Sequence, residues 1–334
     1  MSSTRKLEAE VGDLDLDGVL AAARAGDEDA FRALVAPHLR ALHVHCYRML
    51  GSYADAEEAV QEATVRAWRG LAGYQGTGPL RHWLYRIATT TCLKLINRRG
   101  REPLASTAEV AWLQPYPDVL LDQLTDDDAD PAAVVERRES VALAFMAALQ
   151  LLPATQRAVL ILREVLDWPA REVADLLDTT VAGVNSALQR ARATLAVAPT
   201  VDPHRGRLSR HEQRVLDDFL RAWHARDIPA LAALLRDDIA LTMPPQAIRI
   251  VGRDAVARFF ATVPANGRLD RVRLVVTRAN GHPALAAYLP DNGEWDCRGY
   301  GIMVLTIIGE QVATITGFPD PDLFPMFDLH VTTR

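Results

Sequence analysis

Two stretches of this sequence carry side chains suited to nucleic acid. Between residues 81 and 101 stand Arg81, Arg86, Lys94, Arg98, Arg99 and Arg101, with no Asp or Glu, and Trp83 and Tyr85 are interleaved among them. A basic helix with such aromatics can lie along phosphates and stack bases unpaired from a duplex. An ordinary core role competes for the apolar members: Trp83, Ile87, Leu93 and Ile96 fit a buried face, whereas the arginines fit function better. In the second stretch Val181, Val184, Leu188, Ala191 and Leu195 recur at steps of three and four, one buried stripe of a helix. The opposite face carries Ala182, Gly183, Ser186, Gln189, Arg190 and Ala193, with Asn185 and Arg192 at its edge. Small residues let a helix approach DNA, and amides and arginine read base edges or hold phosphates. A three-helix bundle with a solvated face is the plainer alternative.

A third stretch is acidic. Asp55, Glu57, Glu58, Gln61 and Glu62 decorate one face of a helix whose other face is Ala56, Ala59, Val60, Ala63 and Ala67. Beside a basic helix, this suggests two different partners; a solubilising face would look the same. Cys46, Cys92 and Cys297 lie far apart and form no zinc-type spacing, so neither a metal nor a cofactor is expected, and reduced thiols in a cytoplasm fit best.

The elements that must position these residues fall into blocks. The chain has 334 residues, 49% apolar and 24% charged, ordinary globular composition with room for two or three domains. Its net charge of −6 argues weakly against nucleic acid as an average, but the average hides the local reversal at 81–101. The longest apolar run, 141–152, is too short to span a bilayer and no secretory signal is visible, so a soluble cytoplasmic protein with no membrane partner is expected. Helical periodicity holds over 14–102. Residues 103–138 read as an acidic, mostly irregular linker with eight acids against two bases. A second helical block covers 139–198: an apolar helix at 158–166, a break at Trp168-Pro169, a short second helix through Val173, Ala174, Leu176 and Leu177, and a turn at 178–180 in which Thr180 can cap the third helix. After 199–207 the character changes to α+β. Helices at 212–226 and 229–235 precede strands at 239–243, 272–277, 284–288, 302–308 and 312–316, with a hairpin turn at Gly309-Glu310 and a curved antiparallel sheet.

The first two blocks resemble the extracytoplasmic-function group of the bacterial sigma-70 family. The matching residues are Gly26-Asp27-Glu28-Asp29-Ala30-Phe31, the run from Asp55 to Glu62, Trp83-Leu84-Tyr85-Arg86-Ile87-Ala88, and Leu152-Pro153 to Arg157 leading into Arg190-Ala191-Arg192-Ala193-Thr194-Leu195. The resemblance implies a multidomain fold: an all-α region 2 bundle at 14–102 and an all-α region 4 helix-turn-helix at 139–198. It implies that Asp55, Glu58, Gln61, Glu62 and Arg66 dock on the β′ clamp helices of RNA polymerase core, and that the β flap grips region 4. Trp83, Arg86, Lys94, Asn97, Arg98 and Arg99 would melt and hold a promoter −10 element. Thr180, Ala182, Asn185, Ser186, Gln189 and Arg190 would read the −35 element, and the linker would thread polymerase channels. Where many relatives place lysine and arginine in the recognition helix this chain has Asn185 and Ala187, and Thr89-Thr90-Thr91 replaces a more polar stretch, so neither promoter preference carries over.

Residues 205–334 resemble the SnoaL-like, ketosteroid-isomerase-like cone fold, an α+β domain, through Phe219 to Trp223 with Asp227, Asp238 to Pro245, and Val251 to Val256. Trp112-Leu113-Gln114-Pro115-Tyr116-Pro117 resembles a linker signature of sigma factors with this extension. The resemblance implies a conical pocket, for which Trp223, Asp227, Met243, Phe259, Tyr288, Trp295 and Tyr300 are candidates, with Asp227, His224 and Asp296 the possible acid/base groups. The expected function is an alternative sigma factor, not an enzyme, with the C-terminal domain as an intramolecular partner and regulator. A DNA-binding module fused to a cone-fold isomerase or hydrolase is the other reading, and a repressor acting without polymerase a third.

Overall fold

The computed structural model describes residues 16–74, 76, 78–100, 112–122, 141–196, 209–290 and 297–333. The first block is a bundle of α1 (Leu16–Arg24), α2 (Glu28–Leu50), α3 (Tyr53–Gly70) and α4 (Leu80–Arg98). Its boundaries follow from local chemistry. The Asp27 carboxylate caps α2 by accepting from the Asp29 and Ala30 N–H groups, and Gly51, at φ 71, ends it in the left-handed region that favours glycine. Ser52 then caps α3, accepting from the Asp55 N–H. The small stripe Ala56, Ala59, Ala63 and Ala67 is buried and lets α3 lie close against its neighbours.

Segment 112–122 departs from the irregular linker expected over 103–138; the remainder of that linker lies outside the described residues. Leu113, Tyr116 and Leu121 are buried, and Asp118–Asp122 forms a short helix, α5. The Gln114 Oε1 accepts from the Ser52 hydroxyl and the Ala54 N–H, and the Gln114 N–H donates to the Gly51 carbonyl. Apolar side chains spaced between the prolines give this piece enough surface to pack, which its acidity obscures.

The second block contains α6 (Leu143–Leu149), α7 (Ala154–Leu160) running on as a π turn (Ile161–Val165), α8 (Ala170–Leu176) and α9 (Val181–Leu195). Thr180 caps α9 through the Gly183 N–H. Val184, Ala187, Leu188 and Ala191 form the buried face of α9; Val181 is exposed, a correction to the expected stripe, because it stands at the first helical position, ahead of the turn that packs on α7.

The C-terminal block has α10 (Arg210–His224), α11 (Ile228–Ala233), α12 (Arg253–Thr262) and strands β1 (Leu235–Met243), β2 (Gln246–Val251), β3 (Arg273–Ala279), β4 (His282–Pro290), β5 (Cys297–Ile308), β6 (Gln311–Phe318) and β7 (Thr332–Thr333). The order is β2-β1-β6-β5-β4-β3, with β7 on β5. Gly309 and Glu310 join β5 to β6 as expected. The sheet is mixed rather than antiparallel, because β1 and β6 run parallel. The unpredicted β2 is an edge strand whose inward residues, Ile248 and Ile250, are only half-buried, so it shows little alternation.

Both faces of the sheet are covered. Leu285, Leu305 and Ile315 pack with α10 and α12, while Ala284, Ala286, Val304 and Phe324 belong to one apolar cluster continuous with the cores of the two helical blocks. Burial on both sides is why β4 reads as a nearly unbroken apolar run.

Candidate nucleic-acid interface and cavity

Along α4 the apolar face, with Leu84, Ala88, Leu95 and Ile96, is buried, and Arg86, Lys94 and Asn97 are exposed on the other side. Trp83 is half-buried, its ring 5.1 Å from that of Tyr74. The core behind it is held by a buried pair: the His45 Nε2 lies 2.8 Å from the Thr89 hydroxyl, which donates to the Tyr85 carbonyl. Burial, with Arg48 nearby, lowers the His45 pKa to about 3, and burial with Arg40 nearby lowers that of His43 to about 4. Both rings are therefore neutral in the fold.

Arg98 and Arg99 do not stand free beside this face. Arg98 donates to the Glu58 carboxylate at 2.5 Å, and Arg99 bridges Glu58, at 2.5 Å, and Asp55. Two sets of residues that the sequence assigned to different partners thus meet each other across α3 and α4, with Asp55 almost wholly buried. Gln61 remains exposed, Glu62 and Arg66 pair along α3, and exposed Val65 sits among them. Net charge by segment could not reveal the pairing, because it depends on how the two helices cross.

On α9, Ala182, Asn185, Ser186, Gln189 and Arg190 are all exposed, as is Thr180 at the cap. Arg192 is engaged by Glu164 on the preceding turn, which leaves Arg190 as the unpaired cation of that face among the described residues. The helix is positioned to enter a groove with its N-terminal half foremost.

A cleft separates the two candidate faces. Tyr74, His82, Trp83 and Arg86 line one side, and Trp168, Glu172 and Asp175 the other. His82 Nδ1 lies 2.9 Å from the Glu172 carboxylate, and its ring lies 4.4 Å from that of Trp168. Buried Arg157 fastens the same two blocks, donating to the Met49 carbonyl at 2.5 Å and to the Gln150 Oε1 at 2.6 Å.

The sequence reading missed the joint to the C-terminal block. Asn280 and Gly281, both at positive φ, form the tight turn between β3 and β4, and Asn280 is fully buried. Its amide accepts from the Tyr116 N–H at 2.7 Å and donates to the Tyr47 hydroxyl at 2.9 Å and the Val141 carbonyl at 2.5 Å, while its own N–H donates to the Tyr116 carbonyl. Asp118 adds an acceptor for the Gly281 N–H and an ion pair with Arg278. The Asn-Gly pair is a hairpin signal legible in sequence; its partners are not.

A cavity of about 330 Å³ lies between α12 and the concave face of the sheet. Trp223, Met243, Phe259 and Tyr300 line it, as expected. Three expectations are corrected or lie elsewhere. Tyr288 is on the opposite face, against Phe324 and donating to the His330 carbonyl, because a bulge shifts the register next to it. Asp227 is exposed and caps α11 through the Ala230 N–H, and His224 is exposed too. Trp295 and Asp296 lie outside the described residues. No Asp, Glu, His, Lys or Arg is among the lining residues.

Comparison with known proteins agrees with this anatomy. Residues 34–102 match Sigma-70 region 2, residues 142–195 Sigma-70 region 4, and residues 216–307 the SnoaL-like domain. The chain is 41% identical over 327 residues to the ECF RNA polymerase sigma factor SigG of Mycobacterium tuberculosis, covering 92% of this chain and 85% of the relative. It is 28% identical over 293 residues to SigJ of the same organism, covering 83% and 88%. The crystal structure of Mycobacterium tuberculosis SigJ shares the fold, with a TM-score of 0.59 and 23% identity over 87% of this chain and 98% of that one. The chain belongs to the ECF sigma factors, in a form that carries a C-terminal SnoaL-like domain. It is an alternative sigma factor for transcription initiation, of a class that binds RNA polymerase core and promoter DNA.

Proposed function

We propose that α4, through Trp83, Arg86, Lys94 and Asn97, holds the melted −10 strand, and that α9, through Thr180, Ala182, Asn185, Ser186, Gln189 and Arg190, reads the −35 element. The observation that carries this is the segregation on both helices: apolar stripes sealed in one core, basic and amide groups outside. The α3 face around Gln61, Glu62, Val65 and Arg66 docks on the β′ clamp helices, and region 4 meets the β flap. Asp55, Glu58, Arg98 and Arg99 join these contacts by exchanging their mutual ion pairs for polymerase and phosphate. With polymerase core as its partner, the protein acts in the cytoplasm; among the described residues no helix is long and apolar enough to cross a membrane.

The fused domain regulates from within. The Asn280 turn ties region 2, the linker and the start of region 4 into one closed joint, and the cleft leaves Trp83 and Arg86 facing Trp168 and Glu172 instead of open solvent. Promoter engagement requires that joint to loosen. The cavity lining, free of acid and base side chains, supports a role without catalysis. Run-off transcription with purified core tests both parts. Arg86→Ala and Lys94→Ala should lower transcript yield, Glu62→Lys should abolish core binding, and Asn280→Asp should change yield. Unchanged yield from Asn280→Asp and from a chain ending near residue 200 would remove the regulatory reading.

A further inference from the structure

The cavity in the C-terminal domain has features that point to a ligand of definite chemistry. Its walls are aromatic and thioether side chains, chiefly Trp223, Phe259, Met243 and Met303. The Trp223 indole N–H is already spent on the Val272 carbonyl at 3.3 Å, so this residue offers the cavity a ring and no donor. Polar side chains occur only at Tyr300 and Asn266, and both are exposed. A charged group carried inside would lose its hydration with no counter-charge to meet it.

Gly317 shows that the room is built in. It sits inside β6, where a glycine weakens a strand. Its φ is not positive, and a Cβ there would meet nothing nearer than the Met243 Cγ at 3.5 Å, an ordinary contact. Neither backbone conformation nor crowding calls for glycine here, in contrast to Gly301, whose Cβ would lie 2.2 Å from the Phe318 carbonyl oxygen. What the absent side chain does is set the cavity wall back. At the rim, Ala265, Asn266 and Gly267 hold three successive positive φ values of 47, 56 and 77. Two of these are non-glycine residues in a region they rarely adopt, a pattern associated with ligand clamps. Exposed Val263 stands beside them.

We propose that this cavity is a receptor site for an uncharged, largely apolar small molecule, taken with its apolar body against Trp223 and Met303 and its polar end toward Tyr300 and Asn266. The volume lies in the range of small-molecule sites. Ile302 and Phe318 line the cavity and also belong to the apolar cluster shared with the sigma regions, so an occupant touches the same wall that the promoter-binding half packs against.

The experiment uses the full-length free chain, so its outcome is independent of the promoter assignments. N-phenyl-1-naphthylamine, an uncharged fluorophore, is titrated against 8-anilino-1-naphthalenesulfonate, the same skeleton carrying a sulfonate. The neutral probe should bind one per chain, and the sulfonate about tenfold or more weaker. Gly317→Leu and Ala287→Phe, which fill the cavity, should each weaken the neutral probe by about tenfold while the thermal unfolding midpoint is retained. If one variant fails to fold, the other decides. Absence of neutral-probe binding, equal binding of the two probes, or binding unchanged in a folded cavity-filled variant would overturn the proposal.

Discussion

Single residues set how the closed form responds to substitution and to acid. Asn280 satisfies partners from three segments while in the left-handed region, where asparagine is better tolerated than most residues. Asn280→Ala strands the Tyr116 N–H and removes both donated bonds, and it should cost about 2–4 kcal/mol of stability, read as a lower urea midpoint. Acid acts through His43 and His45, whose pKa values in the fold lie near 4 and 3 against an ordinary 6.5. The unfolded chain binds protons first, so their contribution is complete above about pH 6.5 and is lost as pH falls toward those values, by up to about 1.4 kcal/mol per pH unit for each ring. Urea midpoints measured between about pH 7.5 and 5 should show the decline, and a His43→Phe, His45→Leu chain should show a shallower one.

At the scale of elements, α9 was almost fully legible. The Thr180 cap, the buried Val184, Leu188 and Ala191, and the exposed Asn185, Ser186 and Gln189 all follow from a 3.6-residue period. Thr180→Ala should destabilise region 4 by about 1 kcal/mol, measurable by thermal melting of the full chain. In electrophoretic binding of polymerase holoenzyme to promoter variants, Arg190→Ala should weaken all −35 sequences alike and flatten the salt dependence. Gln189→Ala should relax preference at one base pair by about 1–3 kcal/mol. Segment 112–122 was illegible for the opposite reason: it has no period, and its order comes from where Gln114, Tyr116 and Asp118 find partners distant in sequence.

At the scale of the whole molecule the two halves share one apolar cluster, so removing the C-terminal domain exposes the surface around Leu113, Tyr116 and Leu121. A chain ending near residue 200 should bind more of a hydrophobic dye on its sigma half and be cut faster by protease within 112–122, measured against the full chain. The sequence by itself determined the block order, the basic and acidic helices, the helix-turn-helix and four of the cavity residues, because these rest on periodicity and on side-chain chemistry within single elements. Only the tertiary structure decided that Arg98 and Arg99 face Glu58 and Asp55, that Asp227 caps a helix outside the cavity, and that an Asn-Gly turn is the joint between domains. Each of these depends on which side chains meet across more than ten, and up to more than two hundred, residues or on which way one carboxylate turns, and neither propensity nor charge count encodes that.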